Sequence, residues 1–143
     1  MIRAFIDASV IYAAIVSRTG ASRELLRRHV DGEVRLVASK YVLEETQRNL
    51  TNKSPNKVVA VELLLDVLRF DVIEIQTTVI QAVAQYVELK DAPVVAAAIA
   101  GQCAYLLTYD KQHLLNIAEM INQRTGLQVA TPGDLIQYLR GDS

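Results

Sequence analysis

Short apolar runs of strand length alternate along the chain with longer stretches of helical periodicity. Ile2–Ile6 reads as a buried strand with Arg3 as its one charged interruption, and it runs straight into Asp7. A helix is predicted from about Ser9 to Ser17. After Gly20, Ser22 is placed to cap a helix through His29 and Val30. Asp31-Gly32 signals a turn, and Val34–Ala38 is a second strand candidate. Ser39 then starts a helix carrying Val42, Leu43, Thr46 and Leu50 on one face. Thr51–Pro55 (TNKSP) is the most loop-like stretch.

Further on, Lys57–Phe70 sets Val58, Val61, Leu64, Leu65 and Leu68 at helical spacing, and Val72–Ile75 is a third strand candidate. Thr78–Leu89 is predicted helical with Val79, Ala82, Val83 and Tyr86 inward. Asp91-Ala-Pro93 opens another helix, its proline in the first turn, where a missing N–H costs nothing. Tyr105–Thr108 reads as a fourth strand, Leu114–Ile121 as helix and Val129-Ala130 as a brief fifth strand. Thr131-Pro132 caps a last helix running to Leu139. No hairpin signal joins any two strands. The alternation predicts an α/β fold of three layers, a mainly parallel sheet of about five strands with helices on both faces. Residues 1–143 read as one domain without repeat or linker.

Composition narrows the function classes. Hydrophobic residues make up 51% of the chain and charged residues 22%, which suits a globular protein and excludes a disordered one. Fifteen basic against sixteen acidic residues leave a formal charge of −1, so any surface for a polyanion must be a local patch. Cys103 is the single cysteine and fits a reducing cytoplasm; burial and inertness are expected of it. No export signal is read at the N-terminus, and the Ala-rich run Ala92–Ala100 is too short to span a bilayer.

In an open parallel sheet, ligands sit beyond the carboxyl ends of the strands. Four acidic positions fall there. Asp7 follows the first strand, Glu44 and Glu45 lie early in the helix after the second, Asp91 opens the Ala-rich helix, and Asp110 follows the fourth strand. Each alone reads equally well as a helix cap, a solvated face or a turn residue. Together they mark the crevice of the sheet. Gathered carboxylates repel one another unless a cation neutralises them. With no sulfur or nitrogen among them, Mg²⁺ or Mn²⁺ is the fitting ion. Phosphates are the natural substrates, since such ions activate water and stabilise a leaving oxyanion. The hydroxyls of Ser9 and Thr108 stand beside the acids, where they can orient carboxylates.

The segments FIDASVIYAAI, SKYVLEETQRNL, KDAPVVAAAIAGQCAYLLTYDKQHLL and VATPGDLIQYL, in this order, resemble the PIN domain, and they span Ile2 to Leu139. The size and organisation resemble prokaryotic single-domain members, many of them VapC-like ribonuclease toxins paired with a small antitoxin. The resemblance implies a Mg²⁺- or Mn²⁺-dependent ribonuclease of the cytoplasm whose metal-holding, catalytic acids are Asp7, Glu45, Asp91 and Asp110. Glu45 is preferred to Glu44 because the family's acid precedes the position of Thr46. Ser9 stands where many members carry Asn or Thr, and Tyr109 where many carry Gly. The alternative is a PIN-like scaffold that binds RNA or protein without cutting. A haloacid dehalogenase-like phosphatase would need an Asp at position 9, and a response-regulator receiver an early paired acidic cluster.

Lysines and arginines surround the acids. Lys40 and Lys111 are the expected phosphate contacts; Lys53, Lys57, Lys90 and Arg48 read equally well as solvated faces. His29, near a helix end, is read as favourable to the helix dipole, and His113 is given no role. The Leu-rich face of Lys57–Phe70 reads as core, with a dimer or antitoxin groove as its other use. RNA, a small antitoxin and a second copy in a homodimer are the expected partners.

Overall fold

The computed structural model describes residues 1–141. Five strands, β1 (Ile2–Ile6), β2 (Val34–Ser39), β3 (Asp71–Ile73), β4 (Tyr105–Leu107) and β5 (Gln128–Ala130), form one sheet in the order β3-β2-β1-β4-β5. Every pairing is parallel. The chain moves outward from β1 to β2 and β3, then returns to the other side of β1 for β4 and β5. Right-handed crossovers put the helices of these two journeys on opposite faces of the sheet. On one face pack α1 (Ala8–Val16), α2 (Ala21–Val30), α3 (Lys40–Lys53) and α4 (Val58–Leu68), with α8 (Pro132–Leu139) against α2. The other face carries α5 (Thr77–Val83), α6 (Ala92–Ala100) and α7 (Ala118–Thr125). The reversal falls between β1 and β4, so the crevice opens where Asp7 and Asp110 leave the sheet.

α6 is apolar along its length because most of it is buried: Ala92 and Val94–Ala98 pack on β1, β2, β4 and α5. Gly101 closes it for a steric reason. A Cβ there would sit 3.3 Å from the side chains of both Ile73 and Val37. Arg3 reaches across this junction, its Nε donating to the Gly101 carbonyl (3.0 Å) and Nη1 to Asp71 Oδ2 (2.7 Å). The charged interruption of β1 is thus a tie between β1, the end of α6 and β3.

Several elements differ from the sequence reading. α3 continues through Thr51–Lys53, so only Ser54 and a 3₁₀ turn at Pro55–Lys57 separate it from α4. The third strand is three residues, beginning at Asp71. α5 ends at Val83, and Ala82 faces solvent; turns carry the chain from there to α6. The segment at Leu114 opens as a 3₁₀ turn (Leu115–Ile117), with α7 proper from Ala118. Ser22 lies inside α2, whose cap is Gly20 at φ 101°, a conformation that favours glycine. His29, in the last turn of α2, is also a buried tie: its Nδ1 accepts from the Leu36 amide (3.1 Å) and its Nε2 lies 2.6 Å from the Leu68 carbonyl. Cys103 is half-buried rather than buried, and burial pushes its thiol up to about 11, which disfavours the thiolate.

Candidate active site

β1 ends by delivering Asp7 into the crevice, where its amide extends the ladder by bonding the Leu107 carbonyl (3.0 Å). Its side chain divides its work. Oδ1 accepts from the Ala8 amide (2.7 Å), capping α1, while Oδ2 accepts from the Thr108 hydroxyl (2.7 Å) and more distantly from Ser9 Oγ (3.4 Å). Thr108 Oγ1 in turn accepts from the Asp110 amide (3.0 Å), and Ser9 Oγ from the Tyr109 amide (3.2 Å). Two hydroxyls therefore lock the loop after β4 onto the carboxylate after β1. A cap alone needs only the first of these bonds.

Glu45 arrives from α3. Ser39 caps that helix by accepting from the Val42 amide (3.1 Å), and Thr46, fully buried, bonds back to the Val42 carbonyl. With Val42, Thr46 and Leu50 facing inward, Glu45 turns toward the crevice and Glu44 outward. Asp110 uses Oδ1 to accept from the His113 amide (3.0 Å), fixing the turn that follows. Asp7, Glu45 and Asp110 line one open cavity of about 390 Å³ together with Ser9, Tyr12, Asn49, Lys53 and Tyr109.

Asp91 stands beside this cavity rather than in its wall. It occupies the cap position of α6 yet makes no capping bond, so capping does not account for it. Its Oδ2 lies 3.9 Å from His113 Nδ1, and Glu88 Oε2 is 4.0 Å from the same nitrogen. Among the described residues, the one trio of potential ligand atoms all within 4.8 Å of one another is Glu88, Asp91 and His113. The four acids expected from sequence are spread more widely than that.

The electrostatics are those of acids whose burial outweighs the positive charge near them. Burial pushes the Asp7 carboxyl above its ordinary value and the Asp110 charge adds to this, against three hydrogen bonds that pull it down. Glu45 is raised by burial and then by Asp7 and Asp91, with Arg48 opposing. Asp91 is raised by burial, against His113 and Lys90. The Tyr41 hydroxyl is pushed up by burial first and then by Glu45, Asp91 and Asp7, with Arg48 opposing. An all-oxygen donor set whose members raise one another's proton affinity fits a hard divalent cation.

The two expected phosphate contacts part company. Lys111 is exposed beside Asp110. Lys40 does not reach the cavity; it lies 3.8 Å from Glu74. Five residues before Glu45 on one helix, it points about 140° away from that acid. The lysine that lines the cavity is Lys53. Glu45, Asn49 and Lys53 recur every fourth residue on α3, a stripe legible in the sequence once the helix is known to run through Lys53. Tyr12, which no sequence motif singles out, is one turn beyond Ser9 on α1.

Comparison with curated protein sequences finds no match. Among solved structures, the chain is similar to VapC20 of Mycobacterium tuberculosis, described as a sarcin-ricin loop cleaving toxin. The identity is 16%, the TM-score 0.56, and the match covers 76% of this chain and 91% of that one. PAE2754 from Pyrobaculum aerophilum matches at 17% identity and TM-score 0.58, over 95% and 94% of the two chains. VapBC2 from Rickettsia felis, solved bound to a DNA fragment from its promoter, matches at 16% and TM-score 0.60, over 90% and 98%. At such identities these likenesses speak for the five-stranded parallel fold. The family model described as PIN domain matches residues 3–112, well over half of the chain. The chain therefore belongs to the PIN-domain family, a family of nucleases.

Proposed function

We propose that this protein is a Mg²⁺- or Mn²⁺-dependent ribonuclease that hydrolyses RNA phosphodiester bonds, and the toxin of a type II toxin–antitoxin pair. The observation that carries the enzymatic reading is the cavity shared by Asp7, Glu45 and Asp110, with Asp91 at its edge; among the described residues none of those three forms an ion pair with an arginine or lysine, although Lys53 lines the same cavity. Stability alone would favour a basic partner there. Asp7, Glu45, Asp91 and Asp110 would hold the cation, which when bound supplies positive charge and Lewis acidity toward the oxygens of the scissile phosphate. Thr108 and Ser9 hold Asp7 Oδ2 in place, so its carboxylate meets the cation without reorganising. Lys53 and Lys111 supply positive charge on either side for the RNA backbone.

The toxin role draws on the neighbours: one is described as a toxin, another as a VapBC pair. It is also supported by α4, whose outer face exposes Val59, Leu63 and Val67, at 70%, 63% and 74%. Such a stripe suits a protein cover, either the small antitoxin or a second copy in a homodimer. Residues 1–143 act as one unit, in the cytoplasm. Among the described residues no helix is long and apolar enough to cross a membrane.

The enzymatic reading is tested by RNA cleavage with Mn²⁺, with EDTA, and by the Asp7→Asn variant. Cleavage lost in both controls supports it. Undiminished cleavage in the variant, or cleavage in EDTA, contradicts it, and an inert wild type that still binds RNA would make the protein a scaffold. Toxicity on induced expression, relieved by the product of a neighbouring gene, tests the toxin role.

A further inference from the structure

The cavity contains more than a metal site needs. Beside the three acids stand two phenol rings, one carboxamide and one ammonium, from Tyr12, Tyr109, Asn49 and Lys53. Tyr109 is 41% exposed, so packing does not explain it, yet its ring is held in place. Its hydroxyl is 2.8 Å from Ser22 Oγ, a buried hydroxyl on α2, and its amide donates to Ser9 Oγ. A ring pinned at both ends loses little freedom when something stacks on it. On the facing helix pair, the Lys53 ammonium lies over the Tyr12 ring, 5.4 Å from its centre. This places one positive charge against an aromatic face, two helical turns from Glu45.

We propose that Tyr109 and Tyr12 form a nucleobase subsite adjoining the acids, which takes one unpaired base next to the scissile phosphate. Lys53 contacts the backbone of that nucleotide, and the Asn49 amide, both donor and acceptor, meets its polar edge. The chemistry selects the ligand. A free phosphate would find one ammonium against three carboxylates, whereas a base offers a π-face to each ring and its edge to the amide. Ser22 is a positioning residue that acts through the Tyr109 hydroxyl. The inference rests on the ribonuclease reading for the identity of the polymer.

The test is binding of a short, labelled single-stranded RNA, with Ca²⁺ in place of Mn²⁺ to suppress cleavage, alongside a set of the same RNA each carrying one abasic ribose. One abasic position should weaken wild-type binding about 10-fold. Tyr109→Leu should lose a similar factor on intact RNA and respond less than wild type to that abasic position, whereas Tyr109→Phe, which keeps the ring, should bind within about twofold of wild type. Ser22→Ala should fall between them. Equal affinity of the wild type for intact RNA and every abasic RNA overturns the proposal, and this arm needs no variant to fold. So does a folded Tyr109→Leu protein that responds to abasic RNA as wild type does, or a wild type that binds no RNA. The ribonuclease reading fails separately, if Mn²⁺ leaves the same intact RNA uncut while the base-dependent binding persists.

Discussion

Asp7 and Asp71 are the same side chain at two places on one sheet, and the protein treats them in opposite ways. Asp71, at the start of β3 and one-third exposed, receives two guanidiniums, from Arg35 (2.5 Å) and Arg3 (2.7 Å). Hydrogen bonds from Arg35 and Arg3 hold its carboxyl down at about 2. Asp7, 9% exposed, receives hydroxyls and an amide, and faces other carboxylates; burial pushes its carboxyl up. A fold able to bring two arginines to an edge-strand aspartate could have brought one to a buried crevice. The charge at Asp71 is answered from within the chain and serves the fold. Among the described residues no arginine or lysine bonds Asp7 or Glu45 in this way, and under the proposed function their charge is left for a cation.

The largest effect should come from removing the unanswered charge. Asp7→Asn should reduce RNA cleavage at least about 100-fold, since ligand loss exceeds what outer-shell changes cost, while the circular dichroism stays that of wild type. Thr108→Val removes the hydroxyl that joins Asp7 to the Asp110 amide. It should lower cleavage about 10-fold and reduce Mn²⁺ affinity by a like factor. Asp71→Asn should leave cleavage unchanged and cost about 1 kcal/mol in urea unfolding, a figure already discounted for the solvent screening of a group this exposed.

The pH dependence should divide the two sites by sign. A carboxylate held down in the fold stabilises it above the unfolded value near 4 and loses that contribution as pH falls toward 2. Asp71→Asn should therefore remove part of the acid sensitivity of the unfolding midpoint. Carboxylates raised in the fold do the reverse: their penalty is absent in acid and develops as pH rises through the carboxylate range. Metal-free Asp7→Asn protein should gain on wild type as pH rises from about 3 to about 7. An Asp7 that behaved as Asp71 does would erase the distinction.

Much of this was written in the pattern of the chain. The strand–helix alternation yields the parallel sheet because each period carries its own signal, and acids just past strand ends are visible as such. What escaped depended on distance across the fold. Arg3 looked like a flaw in β1 because its partners, Gly101 and Asp71, lie far along the chain. Ser22 looked like a cap because the hydroxyl of Tyr109 was out of sight. Lys53 falls in TNKSP, which reads as a loop, and only the helical continuation carries the Glu45–Asn49–Lys53 stripe into the cavity that Lys40 does not reach. The tie of Thr108 to Asp7 could be suspected from a hydroxyl ending an apolar strand. That the α4 stripe is exposed could not, since apolar spacing is the same on a buried face and a bare one.

Titration of the metal-free protein with Mn²⁺ by calorimetry, comparing wild type, Asp7→Asn and Asp71→Asn, tests the contrast most directly. Binding to wild type and to Asp71→Asn alike is expected, with at least about 10-fold weaker binding to Asp7→Asn. Wild-type protein that takes up no Mn²⁺, or an Asp7→Asn variant that binds it equally well, would contradict the claim that these acids are held for a cation.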